Sequence, residues 1–166
     1  DIIYSGFWHT GGVYLSLDKG DRWTLTNPNL SGVKIYSMAI DPVQPKNIYL
    51  ATFNDGMIRT SDGFDTFQSI GQPGDKFYTV VVDSQNDQNV YSGTYGDGIW
   101  SSRDGGLTWK QTSKGLKATS AGSILFDQSQ IYTSVFGEGV LTQPITGTTW
   151  SLSNLNLPDR FVNSLA

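Results

Sequence analysis

Apolar residues come in short runs, each closed by Gly, Asp, Asn or Ser, and the runs recur. Ile3-Tyr4-Ser5-Gly6, Ile48-Tyr49-Leu50-Ala51, Val90-Tyr91-Ser92-Gly93 and Ile131-Tyr132-Thr133-Ser134 begin at positions 3, 48, 90 and 131, so they are spaced by 45, 42 and 41 residues. A steady period of this length marks a chain assembled from copies of one supersecondary unit. Each run leads into an aromatic and a tight polar turn: Phe7-Trp8-His9-Thr10-Gly11-Gly12, Phe53-Asn54-Asp55-Gly56, Tyr95-Gly96-Asp97-Gly98 and Phe136-Gly137-Glu138-Gly139. Asp-Gly between apolar runs is a strong hairpin signal, so a further strand is expected after each turn. Between copies lie Ile35-Tyr36-Ser37-Met38-Ala39-Ile40-Asp41-Pro42 and Phe77-Tyr78-Thr79-Val80-Val81-Val82-Asp83, with counterparts at 120–126 and 161–166. Their mixture of small and large residues suits the first, innermost strand of each unit. The pattern predicts an all-β domain over 1–166 with repeats at 3–47, 48–89, 90–130 and 131–166.

A second motif follows the hairpin in each copy. It reads Ser16-Leu17-Asp18-Lys19-Gly20-Asp21-Arg22-Trp23 in the first and Ser102-Arg103-Asp104-Gly105-Gly106-Leu107-Thr108-Trp109 in the third. The form Ser-x-Asp-x-Gly-x-Thr-Trp resembles the Asp-box, or BNR repeat, of sialidases, sortilin-type receptors, xyloglucan-hydrolysing endoglucanases and a photosystem II assembly factor. The third copy matches it fully. The second, Thr60-Ser61-Asp62-Gly63-Phe64-Asp65-Thr66-Phe67, keeps Asp62 and a Thr, moves the Gly and has Phe67 for Trp; the fourth keeps Gly147, Thr149 and Trp150. The resemblance spans the whole chain and implies a β-propeller of four Asp-box blades, each of four antiparallel strands. It also implies that the box lies in the turn between the third and outermost strands, with Asp and Ser bonding turn backbone and Trp packing inward. Ser16, Asp18, Gly20, Trp23, Asp62, Phe67, Ser102, Asp104, Gly106, Trp109, Gly147 and Trp150 are therefore expected to be structural, through Asx-turn chemistry and aromatic packing. Trp23, Phe67, Trp109 and Trp150 are expected to be mostly buried.

Composition narrows the partners. Fifteen acidic against eleven basic residues give a net charge of −4, and no Lys or Arg run could follow a phosphate backbone, which argues against nucleic acid. With no cysteine there can be no disulfide, thiolate metal site or cysteine nucleophile. No apolar run approaches the roughly 20 residues that span a bilayer, so no membrane insertion is expected. The chain opens at Asp1 without Met or a signal-like segment, which points to a removed leader or an excerpt.

The turns between second and third strands carry the candidate site. They present Asp55, Asp97 and Glu138 at matching positions, with His9 in the first copy, beside Phe7, Trp8, Phe53, Tyr95 and Phe136. A rim of carboxylates and aromatic faces suits sugars, because hydroxyls donate to carboxylates while a pyranose face lies on a ring. The same acids also make good turn sequences. The binding candidates are Trp8, His9, Asp55, Tyr95, Asp97 and Glu138, and no catalytic, metal or cofactor site is assigned. Glycoside hydrolysis needs two carboxylates about 5 to 10 Å apart across a cleft, and no pair is marked. A sialidase's arginine cluster is missing, since Arg22 and Arg103 lie within boxes and only Arg59 and Arg160 remain. His9 alone makes no zinc site, and no serine occupies a nucleophile elbow. Asn29-Leu30-Ser31 is a glycosylation sequon with little weight by itself.

The reading is a non-catalytic, extracytoplasmic binding or scaffold module that offers a glycan- or protein-binding face. Its alternative is part of a polysaccharide hydrolase resembling the xyloglucan-specific enzymes. A photosystem-type assembly factor is disfavoured, because the resemblance implies a basic docking face. The strand at 162–166 is expected to pair with 2–7, in a closed four-bladed ring, a ring shared between copies, or an excerpt whose further blades supply the partner.

Overall fold

The computed structural model describes residues 2–70 and 74–166, which form two compact units, Asp1–Phe77 and Tyr78–Ala166. The first unit holds a three-stranded sheet of β1 (Ile3–Gly6), β2 (Val13–Ser16) and β3 (Thr24–Leu25). Its second sheet is β4 (Ile35–Ile40), β5 (Ile48–Thr52), β6 (Met57–Thr60) and β7 (Gln68–Ile70). The second unit holds β8 (Phe77–Val82) from its second residue on, β9 (Val90–Thr94), β10 (Ile99–Ser102) and β11 (Lys110–Gln111), then β12 (Ala121–Asp127), β13 (Gln130–Val135), β14 (Gly139–Pro144) and β15 (Ser151–Leu152). In every sheet, strands that follow one another in sequence lie side by side. Pairing in the second sheet is antiparallel throughout, with Met38 opposite Leu50 and Leu50 opposite Ile58. Helix is confined, among the described residues, to a single 3-10 turn at Pro28–Leu30, and no helix is long and apolar enough to cross a membrane.

Every residue of β5 and of β9 is buried. This explains why those segments read as apolar runs without polar alternation: both faces of the strand are covered. In the first unit Val13, Leu30, Ile35, Ile48, Leu50, Ile58 and Phe64 form the core, and in the second Tyr91, Ile99, Ile124, Ile131, Leu141 and Trp150 are among its members. The glycine that closes the first and the third repeated run lets neighbouring sheets approach. A Cβ on Gly6 would lie 2.6 Å from Ile35 Cγ2, and one on Gly93 would lie 2.5 Å from the Ala121 carbonyl oxygen. Such contacts lie far inside van der Waals distance, so a larger side chain there must push the sheets apart.

The loops from first to second strand repeat as well. Asp41 accepts from the amides of Val43 and Gln44 and from Asn47 Nδ2, and Asp83 accepts from the Gln85 amide and Asn89 Nδ2. Both carboxylates are buried, and each replaces water with its own loop's donors.

The aromatic residues depart from expectation. Trp150 is buried, whereas Trp23 is 41% exposed and Trp109 and Phe67 are half-buried. Hydrogen bonding decides the difference. Trp23 Nε1 donates to the Gly20 carbonyl at 3.0 Å and Trp109 Nε1 to the Gly106 carbonyl at 3.1 Å, so each indole is laid along its own turn. Trp150 Nε1 instead donates to the Thr112 carbonyl of the preceding sheet's outer segment at 2.7 Å. In the second copy Phe64 is fully buried in the core and Phe67 only packs against it. The end segment differs too. No strand forms over 161–166, where the Leu165 amide donates to Ser123 Oγ at 3.3 Å, and β1 has β2 as its strand partner. The Leu165 amide is taken up by a serine hydroxyl and not by a strand carbonyl, and the segment makes no ladder.

Trp150→Ala should cost about 3 to 5 kcal/mol, the usual penalty for emptying a buried aromatic site. Trp23→Ala should cost distinctly less, about 1 kcal/mol, because its ring is already 41% exposed and lies along its own turn. Urea unfolding of both variants checks the contrast, and equal losses would contradict the packing described.

Candidate binding face

The turns between second and third strands are held by their own residues. Thr52 Oγ1 donates to the Gly56 carbonyl and accepts from the Asp55 amide, and Thr94 repeats this with Gly98 and Asp97. The outer strand or the segment after it supplies a second tie. Ser69 Oγ donates to the Asp55 carbonyl, Gln111 Nε2 to that of Asp97 and Asn154 Nδ2 to that of Glu138. The turn backbone is thus fixed, and what it displays are the side chains. Asp55 and Asp97 project as exposed residues. Glu138 is half-buried, and its Oε1 accepts from the amides of Lys117 and Ala118. His9 is exposed. Among the described residues no group of three or more His, Cys, Asp or Glu could hold a metal ion.

Aromatic rings gather at these turns in both units. In the first, Trp8 lies 4.5 Å from Tyr36 and 5.1 Å from Phe53, centroid to centroid. In the second, Tyr78 meets Tyr95 edge-on at 5.7 Å and Phe136 meets Phe161 at 5.0 Å. A cleft of about 410 Å³ opens there, lined by Tyr78, Tyr95, Ser120, Gly122, Ser134, Phe136, Val162 and Asn163. Of the binding candidates, the cleft includes Tyr95 but neither Asp97 nor Glu138. Trp8 belongs to the first unit's aromatic cluster. Sequence reasoning passed over Tyr36 and Tyr78, although both hold the second position of an innermost strand in consecutive repeats. That recurrence was the available signal.

At the other end of the sheets, the turns between third and fourth strands close on themselves. Ser16 Oγ donates to Asp18 and accepts from the Gly20 amide, while Asp18 accepts from the Arg22 amide. Ser102 and Asp104 repeat these contacts with Gly106 and Thr108, and Thr60 and Asp62 do so with Phe64 and Thr66. Thr60 therefore stands where the other copies have Ser. Phe64 stands where they have Gly, at φ 78° against 103° for Gly20 and 82° for Gly106. A left-handed conformation costs a non-glycine residue roughly 1 to 2 kcal/mol. Full burial of a Phe side chain returns about 1.5 to 3 kcal/mol, so the strain is tolerated. In the second and third copies the Thr66 and Thr108 hydroxyls donate to the aspartate as well. These donors hold the carboxyls of Asp62 and Asp104 at about 2, with the Thr hydroxyl the largest cause.

No protein-family model matches the chain, and no curated protein matches it. Solved structures do. A GH74 enzyme from Niastella koreensis is 21% identical with a TM-score of 0.74, over 98% of this chain and 29% of that one. The GH74 xyloglucanase from Xanthomonas campestris is 19% identical with a TM-score of 0.76, over 95% and 29%. YCF48 bound to D1 peptide is 15% identical with a TM-score of 0.62, over 89% and 50%. These sheets are β-propeller blades. The chain spans under a third of the length of the two GH74 enzymes and half of the YCF48 chain, and at such identities the likeness speaks for the propeller fold alone.

The propeller's outer turns should make it acid-sensitive. A carboxyl lowered in the folded state favours folding while ionised, so its contribution is present above the unfolded value near 4 and is lost as pH falls toward about 2. Asp104→Asn should flatten the fall in stability between pH 4 and 2, measured by urea midpoints across that window. An unchanged pH profile would show that the carboxylate carries no such coupling.

Proposed function

We propose that this chain is a non-catalytic propeller module that binds glycans through the turns between its second and third strands. In this reading the Ser/Thr-x-Asp turns at the far end are Asp-boxes with a purely structural role. The observation that carries the proposal is the cleft in the second unit, where Tyr78, Tyr95 and Phe136 stand with Ser120, Ser134 and Asn163. Rings offer an apolar face to a pyranose, and hydroxyl and amide groups on the same walls can exchange hydrogen bonds with its hydroxyls. No charged residue lines this cleft, which suits a neutral sugar. Of the candidates read from sequence, Tyr95 is the one assigned to contact there. Asp97 and Glu138 are assigned to the turn, in view of the backbone ties at both residues. A glycan partner fits an extracytoplasmic setting.

A polysaccharide hydrolase is the alternative, supported by the fold shared with the GH74 enzymes. It needs two carboxylates facing across a cleft, and the cleft in the second unit is lined by none. A peptide partner is the other alternative, in view of the D1 peptide bound by YCF48.

Titration with xyloglucan and β-glucan oligosaccharides by calorimetry should give saturable binding, and Tyr95→Ala should weaken it about tenfold, the size of a lost stacking contact. No reducing ends should be released. Release that disappears in Asp97→Ala or Glu138→Ala would establish the hydrolase instead.

A further inference from the structure

The chain contains four Asp-Gly pairs, at 55–56, 62–63, 97–98 and 104–105. Attack by the glycine nitrogen on the aspartate side-chain carboxyl carbon closes a five-membered ring, and glycine has no Cβ to crowd the closure. In a folded chain the reaction needs a free amide and a free carboxyl. Three of the four amides are taken: Gly63 donates to the Lys46 carbonyl at 3.2 Å, Gly98 to that of Thr119 at 2.7 Å and Gly105 to that of Gln88 at 3.0 Å. The Gly56 amide makes no such bond among the described residues. The carboxylates of Asp62 and Asp104 are taken as well, by threonine hydroxyls and turn amides, whereas Asp55 and Asp97 are exposed. The pairs at 55–56 and 97–98 are closely matched in other respects. Each lies under a threonine whose hydroxyl accepts from the Asp amide and donates to the Gly carbonyl, and Gly56 and Gly98 have φ of 72° and 73°. Both glycines are buried, so water does not stand in for a missing acceptor.

We propose that Asp55–Gly56 is a site of covalent rearrangement, at which Asp55 converts to isoaspartate in the folded chain. The Gly56 nitrogen forms a bond to the Asp55 side-chain carboxyl carbon, and the carboxyl hydroxyl leaves with the amide proton as water. Water then adds back to the cyclic imide. Opening at the side-chain carbonyl restores aspartate; opening at the main-chain carbonyl breaks the original peptide bond and leaves the chain running through the side chain. Isoaspartate thus inserts one carbon between the Asp55 amide and the Gly56 carbonyl, the two groups that Thr52 Oγ1 bridges. The turn between β5 and β6 cannot keep both bonds at that spacing.

Ageing the folded chain for weeks in mildly acidic buffer at body temperature, followed by digestion and peptide mapping, tests the site. Isoaspartate keeps the mass of aspartate but changes its peptide's retention, and the imide is one water lighter. Conversion at Asp55 should run about fivefold faster than at Asp97, because closure at Gly98 must first give up one ordinary hydrogen bond. Asp62 and Asp104 should convert no faster than Asp97. In urea, where no amide is held, Asp55 and Asp97 should convert at similar rates. The aged chain should also unfold at lower urea, and Asp55→Glu, whose larger imide ring closes far more slowly, should age without that loss. Equal rates at Asp55 and Asp97 in the folded chain, a faster Asp97, or conversion of Asp55 in urea alone overturns the proposal.

Discussion

Burial of the second strand on both faces is the constraint from which the rest follows. Where β5 and β9 are sealed along their whole length, the sheets that hold them are covered on both sides at those strands. The side chains of the sheet faces are then committed to packing, and the close approaches at Gly6 and Gly93 show how little room is left between sheets. Only the two ends of each sheet remain for solvent or ligand. One end is occupied by turns whose polar groups satisfy each other. The other displays aromatic rings.

The division of labour between the ends is chemical. At the outer turns a short hydroxyl and a carboxylate accept from amides two to four residues ahead, so the carboxylate is saturated by its own backbone. A carboxylate with so many donors is a weak base, as the values of about 2 for Asp62 and Asp104 indicate, and it is poorly suited to proton transfer near neutral pH. At the opposite turns the threonine hydroxyl holds the loop, which leaves Asp55 and Asp97 exposed beyond it. Glu138 shows the contrary case: Val135 replaces the threonine, and the longer acid turns back to cap two amides.

The sheets were legible because the repeat supplies four readings of one unit. Strand segments recur in all four copies, Asp-Gly hairpin turns in the second and third, and Ser/Thr-x-Asp turns in the first three, and apart from the strand expected over 161–166 the strands form where the pattern places them. Packing of the aromatics was not legible. Whether an indole lies along its own turn or enters the neighbouring sheet depends on which carbonyl its N–H can reach, and that is a tertiary relation. Phe64 could not be identified as core from sequence either, since its position calls for glycine and its left-handed backbone is tolerated only because the side chain is fully buried. The aromatic platform was half legible. Tyr95 and Trp8 follow visible runs, while Tyr36 gains meaning only when the innermost strand brings its ring beside Trp8 in the preceding copy's turn.

The fourth copy shows what the outer turn does, because it lacks the turn. Gln143 replaces the serine and Ile145 the aspartate; Gln143 is buried, with its Oε1 unpartnered. Gly147, at the position of Gly20 and Gly106, does not share their positive φ. Without that loop geometry its carbonyl does not hold the indole, and Trp150 swings to Thr112 while its own amide donates to Lys114 at 2.8 Å. A Cβ on Gly115 would lie 2.2 Å from the Trp150 carbonyl, so the preceding segment has made room for it. The carboxylate turn and the buried tryptophan are therefore two solutions to one requirement, fixing the outer edge of a blade. The first does so by local hydrogen bonds that weaken in acid, the second by apolar burial that does not.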